Sequence, residues 1–369
     1  MKFPLRSQVQ IGKYVASNQR KGDRYPLVLM LEPTLACNIA CIGCGKIREY
    51  ESNKARLSVE ECIDSGVQCP APVVSICGGE PLVYKGIEEV VEGFLELRKN
   101  IELCTNALRL TQFLEVFEPS QRLTFVVHLD GMREIHDYIC DYPGLWDVAI
   151  DSIRKAREAG FRVTSNTTVF KETSVDDVLE MMNYLTNEVG IDGMLIAPGY
   201  QYSQIDPALT MTRAEHEEKF RIIRKVARQR GYRWLASPIY QEFLAGERKL
   251  PCAPWGSVTR NPYGWKGPCY LLTDGIFPTY DALRREDRPA DRARHAERLA
   301  LPEHRARLVD HTRGVEHRPT GEAVERAGEP VRHDLAGRHA VHAAKADERR
   351  AQAGPLRDTG LRLRRAGRN

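Results

Sequence analysis

No stretch of the 369-residue chain is apolar enough to cross a bilayer: the longest apolar run, Pro26 to Leu31, falls far short of the ~18 residues a spanning helix requires. The N-terminus lacks the apolar core of a signal peptide, so the chain is expected in the cytoplasm. In that compartment its ten cysteines are expected as reduced thiols or metal ligands rather than disulfides. Phosphate-cradling glycine patterns are also missing, since neither GxGxxG nor a P-loop segment occurs, and this argues against a plain nucleotide-binding protein. A further absence is local. From Arg284 to Asn369 there is no Cys, Phe, Tyr, Trp, Met, Ile or Ser, while the segment holds 20 Arg, 15 Ala and seven of the ten His. This tail carries net charge +7 and the first 283 residues carry −3, so the overall +4 says nothing about the main domain's partners, and no specific nucleic-acid binding is expected. With little to bury against the roughly 1–2 kcal/mol of backbone entropy lost per ordered residue, the tail is expected to be unpacked. The remaining 283 residues suffice for one large domain or one and a half.

What is present is a βα rhythm. Strands are predicted at Tyr25–Glu32, Val73–Cys77, Ile101–Thr105, Leu123–Leu129, Arg162–Thr168 and Gly193–Ala197, each rich in β-branched residues and bounded by turn formers. Helices are predicted between them: Val59–Ser65 behind a capping box at Ser58 and Glu61, Ile87–Leu97, Trp146–Ala159, and Val175–Val189 behind Ser174. Six such units imply a parallel sheet, either doubly wound or an incomplete (β/α) barrel. After Pro198 a long basic helix, Arg213–Arg230, follows a second capping box at Thr212 and Glu215. The Pro-, Gly- and Trp-rich stretch from Leu250 to Leu272 then reads as a loop with aromatic anchors covering one end of the sheet.

The strongest chemical signal is Cys37, Cys41 and Cys44 at CxxxCxxC spacing directly after the first strand. Ligands at the C-terminal end of a strand lie on the face where α/β proteins place their chemistry. Three thiolates on a four-iron cluster leave one iron open to another ligand, whereas a structural zinc wants four protein donors. Cys62 or Cys69 would have to supply a fourth, in a zinc-stabilised binding protein. The motif resembles that of the radical S-adenosylmethionine (SAM) superfamily. That resemblance implies a partial (β/α)6 TIM-like barrel with an α/loop C-terminal extension, a [4Fe–4S] cluster on the three cysteines, and SAM as co-substrate. A second segment agrees: Gly78, Gly79, Glu80 and Pro81 follow the second strand and look like the family's GGEP element, which contacts the SAM amino group. By position, Thr105 and Asn106 end strand three, His128 and Asp130 end strand four, and Asn166 lies on strand five, so the resemblance makes them SAM contacts as well. Each also reads as an ordinary turn or cap residue.

The match narrows further. The run YPLVLMLEPTLACNIACIGCGKI, with ICGGEPL, LCTNALRL, VVHLDGMREIHD and PWGSVTRNPYGWKGPCYLL, resembles the adenosyl-hopene transferases of hopanoid biosynthesis over roughly residues 1 to 283. The implied organisation is an N-terminal segment over 1–24, the barrel over 25–200, a capping and substrate-binding extension over 201–283, and the unmatched tail over 284–369. The implied reaction adds a 5′-deoxyadenosyl radical to the terminal alkene of hopene (diploptene), giving adenosylhopane. Its partners are that hydrocarbon and an electron donor such as flavodoxin or ferredoxin. Addition to the alkene leaves a tertiary carbon radical that needs one hydrogen atom, and Cys104, at the end of strand three, is the candidate thiol donor, with Cys77 as runner-up and a small buried hydrophobe as the alternative reading. Trp234, Tyr240, Trp255, Tyr263, Trp265 and Tyr270 are candidates for an apolar pocket or, equally, for core packing. Residues 7–24 could form a peripheral membrane-surface helix, though a helix packed on the barrel is the better expectation for so short an apolar stripe.

At Leu283 the likeness stops. Losing several common residue types at one point is what reading a GC-rich gene in the wrong frame produces, so a frameshift near codon 284 is the preferred explanation, ahead of a basic extension binding RNA or anionic lipid. The seven tail histidines lack the regular spacing of a metal site. The family's cysteine-bearing continuation is missing, which leaves open an auxiliary metal site with Cys252 and Cys269. A radical SAM peptide- or protein-modifying enzyme is the alternative activity.

Overall fold

The computed structural model describes residues 4–21, 24–45, 54–200, 205–251, 253–267 and 275–286. Six parallel strands form in chain order: β1 (Val28–Leu31), β2 (Val73–Ile76), β3 (Asn100–Thr105), β4 (Leu123–His128), β5 (Arg162–Val169) and β6 (Gly193–Pro198). Their order in the sheet is sequential, each strand pairing with the next. Sequential order removes the point of reversal that a doubly wound sheet needs, and right-handed crossovers then place every helix on one face. The sheet is therefore an open barrel of TIM type, with one face packed on helices and the other turned inward.

The strand pleat shows this division. On β3, Ile101 and Leu103 are fully buried in the main hydrophobic cluster, as are Val74 and Ile76 on β2 and Phe125 and Val127 on β4. The alternate residues Ser75, Glu102, Cys104, Thr124, Val126 and His128 consequently share the inner face. Helices α2 (Val59–Gln68), α3 (Ile87–Glu96), α4 (Leu110–Phe113), α5 (Arg133–Cys140), α6 (Leu145–Glu158) and α7 (Val175–Tyr184) provide the outer layer. Both predicted capping boxes form: Ser58 and Glu61 bond each other's backbone at the start of α2, and Thr212 and Glu215 do so at the start of α8 (Arg213–Arg230). The helix predicted over 175–189 ends as a π-helical turn, Leu185–Val189, closed by Gly190 in the left-handed region.

The stretch after Leu250 departs from expectation. Ser257–Asn261 forms a seventh strand, β7, parallel to β1 in the register Val28↔Ser257 to Leu31↔Arg260. An antiparallel hairpin, β8 (Gly264–Lys266) and β9 (Ile276–Phe277), extends it after the short helix α9 (Pro238–Leu244). What reads as a loop over one end of the barrel is an extension of the sheet along its β1 edge. Trp234, Trp255 and Trp265 are buried in the main hydrophobic cluster, with Tyr240 packed against it, while Tyr263 is 46% exposed. Core packing therefore accounts for the three tryptophans. Cys252, Cys269 and Tyr270 lie outside the described residues, as does the tail beyond α10 (Tyr280–Glu286).

The N-terminal helix α1 (Leu5–Lys21) is fastened to the barrel's exterior by polar contacts. Tyr14 donates to the Pro26 carbonyl (3.0 Å) and Gln10 accepts from Arg122 (2.7 Å). Leu5 and Val9 remain exposed on its outer side. Among the described residues no helix is long and apolar enough to cross a membrane.

Candidate active site

The cysteine loop leaves β1 and is braced from two directions. Gly79 N donates to Thr34 O (3.0 Å) and Glu80 N to Ala36 O (2.8 Å), so the turn after β2 lies backbone to backbone against the loop. A Cβ at Gly79 would fall 2.0 Å from the Ala36 carbonyl oxygen, and Gly78 sits at φ +102°; only glycine satisfies both positions. From the other side, Ile42 N donates to Ile139 O at the end of α5 (2.9 Å), and the Phe170 ring fills the space beside Gly43.

Cys37, Cys41 and Cys44 are half-buried thiols. Burial pushes the Cys37 thiol up to about 12. A hydrogen bond with Cys140 holds Cys41 below the usual thiol range, against its burial and with help from nearby His128; the same contact drives Cys140 far upward. Among the described residues, no group of three or more His, Cys, Asp or Glu is arranged to hold a single metal ion. A zinc site would need sulfurs roughly 3.8 Å apart, as tetrahedral Zn–S geometry requires. A four-iron cluster takes one thiolate at each of three separate corners, and its ligands therefore stand farther apart. A loop of three half-buried thiols over the C-terminal ends of the strands fits that donor set.

Glu80 is 2% exposed. Its carboxylate accepts from Thr105 Oγ1 (2.8 Å), Leu82 N (3.0 Å) and Asn106 N (2.8 Å). Burial raises its pKa against these bonds. Of the roughly four acceptor directions of a carboxylate, two hold the end of β3 in place, one caps the turn at Leu82, and one is left for a further donor. Pro81 starts a single 3-10 turn, Pro81–Val83, capped by Glu80 itself. Asn106 in turn donates to Asn38 Oδ1 (2.8 Å) and lies 3.9 Å from Cys37 Sγ, which ties β3 to the cysteine loop.

His128 and Asp130 form a second polar pair, with Nε2 2.8 Å from Oδ2. Burial alone would lower the imidazole, but the adjacent carboxylate outweighs it and raises His128 to about 9, so it is charged at neutral pH. Asp130 also accepts from Thr168 N (2.7 Å), clamping β5. The Asp130 amide donates to His136 Nδ1 (3.2 Å); burial pushes His136 down to about 3, keeping it neutral. Asn166 pairs in register with His128 and is exposed on the inner face. Cys104 lies deeper on that face, its Sγ 3.6 Å from Ser75 Oγ, and burial raises its thiol to about 12. Cys77 is half-buried at the end of β2.

The structure thus gathers the cysteines, Glu80, Thr105, Asn106, His128 and Asp130 around one mouth, with Asn166 and Cys104 on the wall below. Cys140 and His136, which support Cys41 and Asp130, are not found by reading strand ends. Their i, i+4 spacing on a helix is common, and only the docking of α5 on the loop gives it meaning.

The comparisons with known proteins agree with this geometry. Residues 31–185 match the family model described as "Radical SAM superfamily", and residues 194–290 match one described as "Domain of unknown function (DUF3463)". Fe-coproporphyrin III synthase of Methanosarcina barkeri is 26% identical over 174 residues, 46% of this chain and 43% of that protein. GTP 3′,8-cyclase of Aquifex aeolicus is 26% identical over 170 residues, 43% and 53%. The chain spans about half the length of these relatives. In fold it is similar to SuiB of Streptococcus suis, solved with its precursor peptide SuiA (TM-score 0.60, 17% identity, covering 74% of this chain and 69% of that one). The same protein solved with S-adenosylmethionine gives a TM-score of 0.56 at 18% identity, covering 68% and 62%. Over residues 31–185 the chain is thus similar to the radical SAM superfamily, whose members use a [4Fe–4S] cluster and SAM.

Proposed function

We propose that the protein is a radical SAM adenosyl transferase that joins the 5′-deoxyadenosyl group of SAM to the alkene of hopene (diploptene), forming adenosylhopane. Cys37, Cys41 and Cys44 would hold the cluster, which when bound supplies the electron that cleaves SAM to methionine and a 5′-deoxyadenosyl radical. The observation that carries the reading is the position of Cys104. Hydrogen abstraction by the nucleoside radical leaves a substrate radical that can be oxidised, coupled or quenched, whereas addition to an alkene to give a saturated product leaves a tertiary carbon radical that must gain a hydrogen atom. A thiol S–H bond is weak enough to supply it. Cys104 offers that bond on the inner wall, one residue below the Thr105 and Asn106 edge of the mouth. Burial keeps it protonated at any working pH.

The other residues bind and orient. Glu80, with one acceptor direction left, suits the SAM ammonium, and the charged His128 with Asn166 opposite suits its carboxylate or ribose. The segment resemblance to adenosyl-hopene transferases supplies the identity of the alkene. The proposed electron donor is a flavodoxin or ferredoxin, and the exposed Leu5 and Val9 at the start of α1, with Arg20 and Lys21 in its last turn, are the proposed place of peripheral membrane contact.

The test is anaerobic reconstitution with iron and sulfide, then incubation with SAM, reductant and diploptene, followed by mass spectrometry. The expected product is adenosylhopane, carrying one solvent deuterium when the reaction is run in D2O because a thiol hydrogen exchanges. Release of 5′-deoxyadenosine without an adduct, or modification of an added peptide instead, would overturn the proposal.

A further inference from the structure

Beneath Cys104 the inner wall carries an acidic group that takes no part in the site at the barrel mouth. Glu102 lies two residues before Cys104 on β3, on the same face. Its register partner on β2 is Ser75, whose hydroxyl is the hydrogen-bonding partner of the Cys104 thiol at 3.6 Å. Neighbouring strands stand about 4.8 Å apart, so Ser75 lies beside both residues. On the other side the register runs Glu102↔Thr124 and Thr124↔Arg162, and the Arg162 charge acts on Glu102. Arg162 also lines an open cavity of about 490 Å³ at the N-terminal ends of β5 and β6, together with Arg157, Phe161 and Asp192. A row of inner-face positions thus runs across four strands from the cavity toward the thiol, Arg162, Thr124, Glu102 and Ser75 in register, with Cys104 hydrogen-bonded to Ser75.

Resting on the reaction proposed above, we infer that Glu102 re-protonates Cys104 through Ser75 after each hydrogen-atom transfer, with protons drawn from the cavity at the N-terminal end of the barrel. When the product radical takes hydrogen, the S–H bond breaks, the product C–H bond forms, and Cys104 is left as a thiyl radical. One electron from a flavodoxin- or ferredoxin-type donor reduces it. One proton from the Glu102 carboxyl completes the thiol, and the carboxylate then recovers its proton from solvent. Per product the chain therefore consumes one SAM, one alkene, two electrons and one proton.

The acidities support the direction. Burial, opposed by Arg162, raises Glu102 to about 7, while burial raises the Cys104 thiol to about 12, so the proton moves from carboxyl to sulfur. Among the described residues the charged groups bearing on the pair are Arg162 from β5 and Glu80 from the turn after β2; Thr124 and Val126 on β4 are neutral. A proton inlet at the opposite end from the mouth lets the thiol be recharged while substrate and nucleoside occupy the site.

Two measurements on the reconstituted full chain test this. In a quenched time course with SAM, reductant and diploptene, Glu102→Gln and Ser75→Ala are expected to give the first equivalent of adenosylhopane and then turn over roughly tenfold or more slowly than wild type. A wild-type ratio of steady rate to first turnover in Glu102→Gln overturns the inference. So does a wild-type chain that makes no adduct, because the parent reaction then fails as well. Without SAM or alkene, Cys104 alkylation by iodoacetamide at pH 9, read by peptide mass spectrometry, is expected to be about threefold faster in Glu102→Gln, because the carboxylate no longer opposes the thiolate. An unchanged rate shows that the two groups are not coupled and overturns the inference whatever the alkene is.

Discussion

Single side chains in this protein are set by their depth in the barrel. Cys104 and Cys37 are both thiols raised to about 12 by burial, yet one faces Ser75 inside the barrel and the other faces Asn106 at the rim. In the proposed reaction, Cys104→Ala is expected to leave SAM cleavage intact and to cut saturated adenosylhopane on the order of a hundredfold, or about 2.7 kcal/mol of barrier, as measured by mass spectrometry. His136 gives a pH dependence. Its native pKa is pushed from 6.5 to about 3 by burial, so between those values the unfolded chain binds a proton that the native chain does not. Stability contributed by the neutral imidazole is therefore full above pH 6.5 and falls as pH drops toward 3. Urea denaturation at pH 7 and pH 4 is expected to show a loss on the order of a few kcal/mol, and His136→Gln is expected to flatten it.

Elements are fixed at their ends. The Ser58 cap with Glu61 is solvent-exposed and local, and Ser58→Ala is expected to cost about 1 kcal/mol in urea unfolding without touching the site. The turn after β2 behaves differently, because its backbone is part of another element's support. Gly79→Ala places a methyl group 2.0 Å from the Ala36 oxygen, and backbone on both sides gives neither partner a cheap way to yield. Iron per chain after reconstitution, read by absorbance and metal analysis, is expected to fall to roughly a third of wild type or less while far-UV circular dichroism persists. The glycine pair is thus a brace for the cysteine loop.

At the scale of the molecule, one continuous sheet links strands β1–β6 to the β7–β9 extension. β7 pairs along the whole of β1, the strand that leads into the cysteine loop, and Leu29 and Leu31 are fully buried beside it. A chain ended at Leu250 would leave the β1 edge open, with its amides and carbonyls unpaired next to core leucines. Such a truncation is expected to elute in the void volume of a sizing column, whereas a chain ended at Glu286 is expected to elute as a folded species and to unfold cooperatively. The two family matches meet within this sheet, one ending at 185 and the other beginning at 194, just after the start of β6.

The six parallel strands, four of the helices between them and both capping boxes were legible in the sequence because their signals are local: strand pleat, helical period and cap chemistry act over a few residues. Helices α4 and α5, four and eight residues long, were not, because so few turns carry little period. The CxxxCxxC loop was legible for the same reason, three thiols within eight residues. β7 was not, because five residues flanked by proline, glycine and asparagine carry too little pattern to outweigh their turn formers, and only pairing with β1 makes them a strand. Cys140, His136 and Glu102 were equally hidden, since a thiol, an imidazole or a carboxyl acquires a role through the partner that faces it. The sequence by itself determined the βα order, the cysteine loop and the glycine turn, because each is written in neighbouring residues. Only the tertiary structure decided that the sheet curls rather than doubles back, that Glu80 braces β3, and that Ser75 joins Glu102 to Cys104, because those contacts depend on strand register between segments some 30 residues apart.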